Sequence, residues 1–280
     1  MDNLDEIRKR INSIDAEIAE LFEKRMIESR NVANYKIANG LSITDMKREA
    51  ELIRKNSMMI SDDTLREYYV SFEQNLMDLS KAYQKRMMDG MRVAFNGDND
   101  TLALDAISRI FPDARLVSHS SHADAYAACE SGDCDAAVLP VENSISGEVG
   151  AVTDLMFSGK LYVNQMTDVE SPTNGITRFG AFSRVLNTQS GKPASGRRFI
   201  IMFTVKNEAG SLAKTLNIIG VHGYNMCNLR SRPMKDLMWN YYFFVELEGD
   251  INTREGQSLL QELGTLCDNL KLVGSFSNQR

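Results

Sequence analysis

The chain has 280 residues, enough for two or three domains, and its 43% hydrophobic and 25% charged residues are those of a soluble globular protein. A formal net charge of −6 argues against a general nucleic-acid binder. No apolar run reaches membrane-spanning length and the acidic, amphipathic N-terminus does not read as a secretory leader. Cytoplasmic residence with reduced thiols is therefore expected, with neither a nucleic acid nor a membrane as partner. Cys129, Cys134, Cys227 and Cys267 are scattered, and with His119, His122 and His222 they offer no zinc spacing, so neither a metal nor another cofactor is expected.

Residues 1–90 follow a helical grammar. The first glycine is Gly40 and the first proline Pro112, so nothing interrupts the early pattern. Asn3 followed by Glu6 reads as an N-cap with a reciprocal partner. Leu4, Ile7, Ile11, Ile14, Ile18 and Leu21 alternate at three and four, forming an apolar seam. The helix is expected to run to about Ala38, roughly 50 Å at 1.5 Å per residue, too long for a lone compact domain without a partner helix. "NGLSIT" breaks it. A second helix is expected over about Asp45 to Asn56 and a third over about Asp62 to Met88.

From 91 to about 184 the grammar changes. "RVAFNG", "ARLVSHS", "DAAVLPVE", "LYVNQMTDV" and "ITRFGAF" read as strands, and "TLALDAISRIF", "HADAYAACESG" and "GEVGAVTDLMFSG" as the helices between them. This alternation predicts an α/β layer with parallel strands. "VLNTQSGKPASG", 185–196, is polar and rich in small residues and reads as a linker. A second α+β pattern follows. Strand "RFIIMFTV", helix "GSLAKTLNIIGVHG", strands "NMCNLRSRP" and "MWNYYFFVELE", helix "TREGQSLLQELGTLCD" and strand "LKLVGSF" make βαββαβ, the ferredoxin-like order.

The helical region carries charges where apolar residues belong. Arg25 takes the next seam position after Leu21, and Lys36 falls beside the seam further on. A buried cation is costly unless paired. Interhelical ion pairs would satisfy them; so would an anionic ligand held among the helices. Arg8 lies near the start of the first helix. Asp45, Arg48 and Glu49 are spaced to share one face of the second, and Ser80 and Gln84 one face of the third. The set of Arg8, Arg25, Lys36, Asp45, Arg48, Glu49, Ser80 and Gln84 is rich in cations and hydrogen bonders and lacks a nucleophile, which suits positioning a small dianion.

"IRKRINSIDAEIAELFEKR", "YKIANG", "DMKREAEL" and "DLSKAYQ" resemble the all-helical chorismate mutase domain over nearly all of residues 1–90. The resemblance implies an intertwined homodimer, or a higher homo-oligomer built on it, that shares the long helix. It implies chorismate as substrate, rearranged to prephenate without a covalent catalyst. Arg8 of the partner subunit and Arg25 would bind one carboxylate and Arg48 would contribute around the second. Lys36 and Gln84 would donate to the breaking ether oxygen, and Glu49 would hold the ring hydroxyl with Asp45 and Ser80 in support.

At the C-terminal end, "NEAGSLAKTL" and "NLRSRPMKD" together resemble an ACT domain of the kind appended to prephenate dehydratases, over about Phe199 to Phe276. That likeness implies an aromatic amino acid, phenylalanine or tyrosine, clasped between a glycine–leucine turn and a Ser-Arg-Pro stretch of neighbouring subunits. Asn207, Gly210, Ser211, Leu212, Ser231, Arg232 and Pro233 match those positions. Arg230 stands where the family usually has glutamate. A ferredoxin-like fold can also serve as a plain dimerisation module.

The central region resembles prephenate dehydratase in "RVAFNG", "ACESGDCDAAVLPVENSISGEVGAVTDLMFSGKLYV" and "TRF". Glu142, Asn143, Ser144, Thr177, Arg178 and Phe179 fall at family motif positions. Two departures stand out. "FNGDND" lacks the Gly-Ala-Tyr-Ser that usually follows. Between Val163 and Thr177 there is room for a loop, whereas the family inserts a second lobe there. The expected whole is multidomain: a helical mutase domain at 1–90, a truncated α/β lobe at 91–184 with vestigial dehydratase residues, the 185–196 linker, and a ferredoxin-like ACT domain at 197–280.

Overall fold

A computed structural model describes residues 3–97, 100–186, 196–234 and 240–279. The chain divides into two compact units, Met1–Gly90 and Met91–Arg280.

Unit 1 is three helices: α1 Leu4–Asn39, α2 Met46–Ser57 and α3 Asp63–Asp89. Each starts at a side-chain acceptor that satisfies a free N–H of the first turn. Asp45 accepts from Arg48 N at 3.1 Å and Asp62 from Thr64 N at 2.8 Å. Asn3 accepts from Asp5 N at 3.4 Å, in place of the expected exchange with Glu6. α1 ends at Gly40, whose left-handed φ of 62° favours glycine. α3 buries Glu73, Met77, Ser80 and Gln84, and α1 buries Ser29 and Ala33. The seam predicted for the start of α1 is bare within one chain. Every residue from Asn3 to Lys24 is exposed, because α3 meets α1 from Arg25 onward. α2 buries no residue and is held to α3 by polar contacts, including Asn56 to Glu73 at 3.2 Å.

Unit 2 has its strands in one sheet. In chain order they are β1 Arg92–Asn96, β2 Arg115–His119, β3 Ala136–Asn143, β4 Gly147–Glu148, β5 Tyr162–Ser171, β6 Gly175–Ser183, β7 Arg197–Thr204, β8 Asn225–Pro233, β9 Tyr241–Glu248 and β10 Asn269–Gln279. The helices are α4 Thr101–Ile110, α5 His122–Ser131, α6 Gly150–Ser158, α7 Ser211–Val221 and α8 Arg254–Leu266. The strand order is β2-β1-β3-β6-β5-β10-β7-β9-β8, with β4 beside β3.

The expectation of a parallel layer holds for β1 with β2 and β3. It fails for β6, which is antiparallel to both β3 and β5. The reason is the connection: a short turn returns β5 as a hairpin, whereas a parallel neighbour needs a crossover. The predicted helix from Gly147 begins only at Gly150, since Gly147–Glu148 pairs with β3. The βαββαβ segment from β7 to β10 shows the expected element order, with its strands ordered β10-β7-β9-β8. Its last strand pairs in parallel with β5, so the two halves of unit 2 share one sheet. Of the predicted linker, 187–195 lies outside the described residues.

Among the described residues, three clusters of buried side chains pack on this sheet. One joins β1, β3 and β6 to α4, through Val93, Val138, Phe179 and Ile107. A second joins β7 and β9 to α7 and α8, through Phe203, Val245, Ile219 and Leu263. The third draws on both halves and on α5 and α6, with Leu139, Phe182, Met202 and Phe244. Among the described residues no helix is long and apolar enough to cross a membrane.

Candidate active site

Seven of the eight residues singled out in the helical region line one cavity of about 260 Å³ in unit 1: Arg25, Lys36, Asp45, Arg48, Glu49, Ser80 and Gln84. The helical period explains the gathering. Met77, Ser80, Lys81 and Gln84 form one stripe of α3, and Arg25, Ser29, Val32 and Lys36 one stripe of α1. Arg25 is fixed by hydrogen bonds to Ser80 Oγ and, at 3.3 Å, to Leu76 O. Lys36 Nζ donates to Ile43 O at 2.5 Å, which holds the ammonium beside the α1–α2 connection. Asp45 is the N-cap of α2, and its carboxylate carries the backbone of Arg48. Gln84 Nε2 donates to Ser29 Oγ at 3.1 Å, while Gln84 Oε1 is buried without a partner. A half-turn of the amide exchanges the two atoms: Ser29 can then donate, and an N–H takes the unpaired position.

Arg8 is the exception. It lies on the exposed half of α1 and meets Asp5 at 3.7 Å, and it does not line the cavity of its own chain. Lys81 was not foreseen. It lines the cavity and sits 2.9 Å from Glu49 Oε2 and 2.9 Å from Asp78 Oδ1. Its hydrogen bond to Glu49, then that to Asp78, raise its pKa. The missed signal was the stripe itself, for 77, 80, 81 and 84 share one face of a helix.

The six dehydratase-motif residues are all occupied structurally. Glu142 is ion-paired with Arg230. Asn143 Nδ2 donates to Thr177 Oγ1 at 2.9 Å and to Asn174 O at 2.8 Å, and Ser144 Oγ accepts from Ile176 N at 2.9 Å. Thr177 is buried. Arg178 bridges Asp168 at 3.1 Å and the buried Glu246 at 3.4 Å, and Phe179 is core against α4. β5 and β6 meet through Ser171 and Gly175, so the stretch expected to have room only for a loop holds a hairpin turn.

In the βαββαβ segment, Gly210 adopts φ 84° at the start of α7, after Asn207 and before Ser211 and Leu212. Leu212 packs on the core shared with α8. Ser231, Arg232 and Pro233 end β8, and Arg232 turns toward the opposite core. It donates to Asp154 Oδ1 at 3.0 Å and to Glu148 Oε1 at 2.5 Å, beside Tyr242. Burial, and then the hydrogen bond to Asp154, push the Tyr242 hydroxyl above its ordinary pKa. Leu212 and Arg232 thus face different cores of one chain.

A family model for chorismate mutase type II matches residues 7–85, and one for prephenate dehydratase matches 93–184. The chain is 24% identical to the bifunctional chorismate mutase/prephenate dehydratase of Aquifex aeolicus (strain VF5), over 99% of this chain and 98% of the relative. That alignment is 359 positions long, although only 280 residues are available to it, so some 80 positions of the relative have no counterpart. Among solved structures, prephenate dehydratase from Streptococcus mutans superposes with a TM-score of 0.59 at 25% identity, covering 68% of this chain and 100% of that one. Prephenate dehydratase from Arthrobacter aurescens, in complex with L-Phe, superposes with a TM-score of 0.60 over 67% of this chain and 90% of that one; at 16% identity it shows the fold. With the two models met in order along the chain and a relative matched nearly end to end, the protein belongs to the bifunctional chorismate mutase/prephenate dehydratase family.

Proposed function

We propose that unit 1 converts chorismate to prephenate, that the middle of the chain no longer dehydrates prephenate, and that the βαββαβ segment is an ACT domain responding to an aromatic amino acid. The observation that carries the first part is the convergence of Arg25, Lys36, Arg48, Glu49 and Gln84 on one cavity whose lining has no cysteine, and no histidine to activate a serine. A pericyclic rearrangement needs no nucleophile. It needs the reactive conformer held compactly and charge stabilised where it develops. Arg25, braced by Ser80 and Leu76 O, suits one substrate carboxylate. Arg48 suits the second, with its guanidinium fork on the first turn of α2. Lys36 and Gln84 supply donors for the ether oxygen that gains negative charge as its bond to carbon breaks. Glu49 accepts from the ring hydroxyl, with Asp45 and Ser80 in support.

Arg8 completes this set only from a second copy. The exposed apolar stripe of Leu4, Ile7, Ile11, Ile14, Ile18 and Leu21 on the same stretch of α1 supports a dimer in which Arg8 of the partner subunit reaches the cavity.

Loss of dehydration is supported by the β5–β6 hairpin and by the engagement of all six motif residues in ion pairs, ladder contacts or core. An elimination needs an acid facing a substrate in a cleft that excludes water. The match to the dehydratase model favours the second reading, a working bifunctional enzyme that borrows a wall from another subunit. Regulation is supported by the effector-type residues Asn207, Gly210, Ser211, Leu212, Ser231, Arg232 and Pro233, and by the L-Phe held by the Arthrobacter aurescens relative. Because Leu212 and Arg232 face different cores in one chain, each would meet its complement from a neighbouring subunit.

The test gives chorismate to the purified full chain and follows prephenate and phenylpyruvate separately, with and without phenylalanine or tyrosine. Prephenate accumulating alone, at a rate changed by one of the amino acids, is expected. Phenylpyruvate formed efficiently at neutral pH would establish the bifunctional reading. Absence of any turnover would leave an amino-acid sensor.

A further inference from the structure

We infer that Lys81 is a positioning residue of the mutase cavity: it holds Glu49 in place and adds to the positive charge of the cavity. The inference rests on the chorismate reading above, and it adds a residue outside the set that the family resemblance supplies.

Three observations carry it. First, α2 buries no side chain, so apolar packing does not fix the direction of Glu49. What binds that end of α2 to α3 is the 2.9 Å contact between Lys81 Nζ and Glu49 Oε2, both side chains being less than a quarter exposed. Second, Lys81 is itself anchored by Asp78 at 2.9 Å on its own helix. With two carboxylates to satisfy, its ammonium stays on the α2–α3 seam, where it aims Glu49 while leaving the cavity centre to the substrate. Third, the charged side chains lining the cavity are four cations, Arg25, Lys36, Arg48 and Lys81, against three carboxylates, Glu28, Asp45 and Glu49. Within one chain the balance is even without Lys81, and an unpaired Glu49 repels an incoming dicarboxylate at short range. Lys81 thus lets an acceptor for the ring hydroxyl stand in a pocket for a dianion.

Steady-state chorismate turnover separates this role from a structural one. Lys81→Met is expected to raise KM about tenfold while kcat falls less than about threefold, the pattern of lost binding common to ground and transition states. Lys81→Gln should do the same, and Lys81→Arg should restore KM to within about threefold of wild type. Thermal unfolding and subunit assembly should be unchanged in all three. On a Glu49→Gln background, Lys81→Met should add less than about a twofold loss, because the carboxylate it restrains is gone. Wild-type KM and kcat in Lys81→Met and Lys81→Gln, or a full tenfold loss repeated on the Glu49→Gln background, would overturn the inference and leave the mutase reading standing. Failure of the wild-type chain itself to turn over chorismate would overturn both.

Discussion

Ser171 pairs with Gly175 at the end of the β5–β6 ladder, leaving only Pro172, Thr173 and Asn174 to turn the chain. Gly175 has a left-handed φ of 65°, and a Cβ there would lie 2.5 Å from Ser144 Oγ, so the turn is seated on the adjoining loop. Thr177 follows directly, buried and hydrogen-bonded to Asn143. Supplied with prephenate at neutral pH, the protein should form phenylpyruvate no faster than the uncatalysed reaction. Thr177→Ala should leave chorismate turnover within about twofold of wild type, as expected of a substitution away from the reacting groups. Product assays on both substrates check this pair of outcomes, and a large loss of mutase turnover without unfolding would show coupling between the two units.

Gly274 marks the join between the two halves of unit 2. A Cβ there would lie 2.1 Å from Val163 O on β5, a distance no rotamer relieves because the obstacle is backbone. Gly274→Ala should therefore force β10 away from β5 at a cost of about 1–3 kcal/mol. Thermal unfolding should report a fall of several degrees in the midpoint of unit 2, roughly 5 °C at the middle of that range. An unchanged midpoint would mean that the β5–β10 pairing contributes little to stability.

What the sequence made legible follows the range of the interactions involved. Apolar periodicity and the break at Gly40 are local, and the expected bounds of the three helices of unit 1 fall within a residue or two of those observed. The cavity residues were readable because helical periodicity converts spacing into a shared face. Lys81 escaped because a lysine beside Ser80 has the composition of a solvated face; its place in the stripe was legible, but its pairing with Glu49 on another helix was not. Strand direction was not readable either. "ITRFGAF" has the same alternation whether it runs parallel or antiparallel, and the choice lay in the turn at 172–174. Least accessible were the links across unit 2, such as Arg178 with Glu246 and β5 with β10, which depend on residues far apart in the chain.

Lys36 Nζ reaches Ile43 O from the last turn of α1, so its ammonium is preset beside the cavity before substrate arrives. On the proposed mutase mechanism, a donor fixed where charge develops contributes to kcat, since the interaction strengthens as the ether bond breaks. Lys36→Ala should lower kcat by roughly 10²–10³-fold, equivalent to about 3–4 kcal/mol of barrier. Helix content by circular dichroism and subunit assembly should remain those of wild type. Retained turnover in a folded Lys36→Ala protein would refute the role given to the ammonium.

His222 at the end of α7 lies 2.6 Å from Glu255 Oε1 through Nδ1 and 2.8 Å from Glu262 Oε2 through Nε2. Both ring nitrogens can donate only when the imidazole is protonated. The hydrogen bond to Glu262 outweighs the opposing effect of burial, and with the Glu255 contact it raises the His222 pKa. A folded-state value above the unfolded one makes this stabilisation complete below the ordinary imidazole pKa of ~6.5. It is lost as pH rises through the raised value. The Cys267 thiol of the same core is pushed up to about 11, chiefly by burial, and stays protonated across that interval. Thermal unfolding at pH 6 and pH 9 should show the α7–α8 layer more stable at the lower pH. His222→Gln, which keeps a donor but removes the charge, should flatten that difference. An equal slope in the two proteins would show that the paired imidazolium does not contribute to the stability of unit 2.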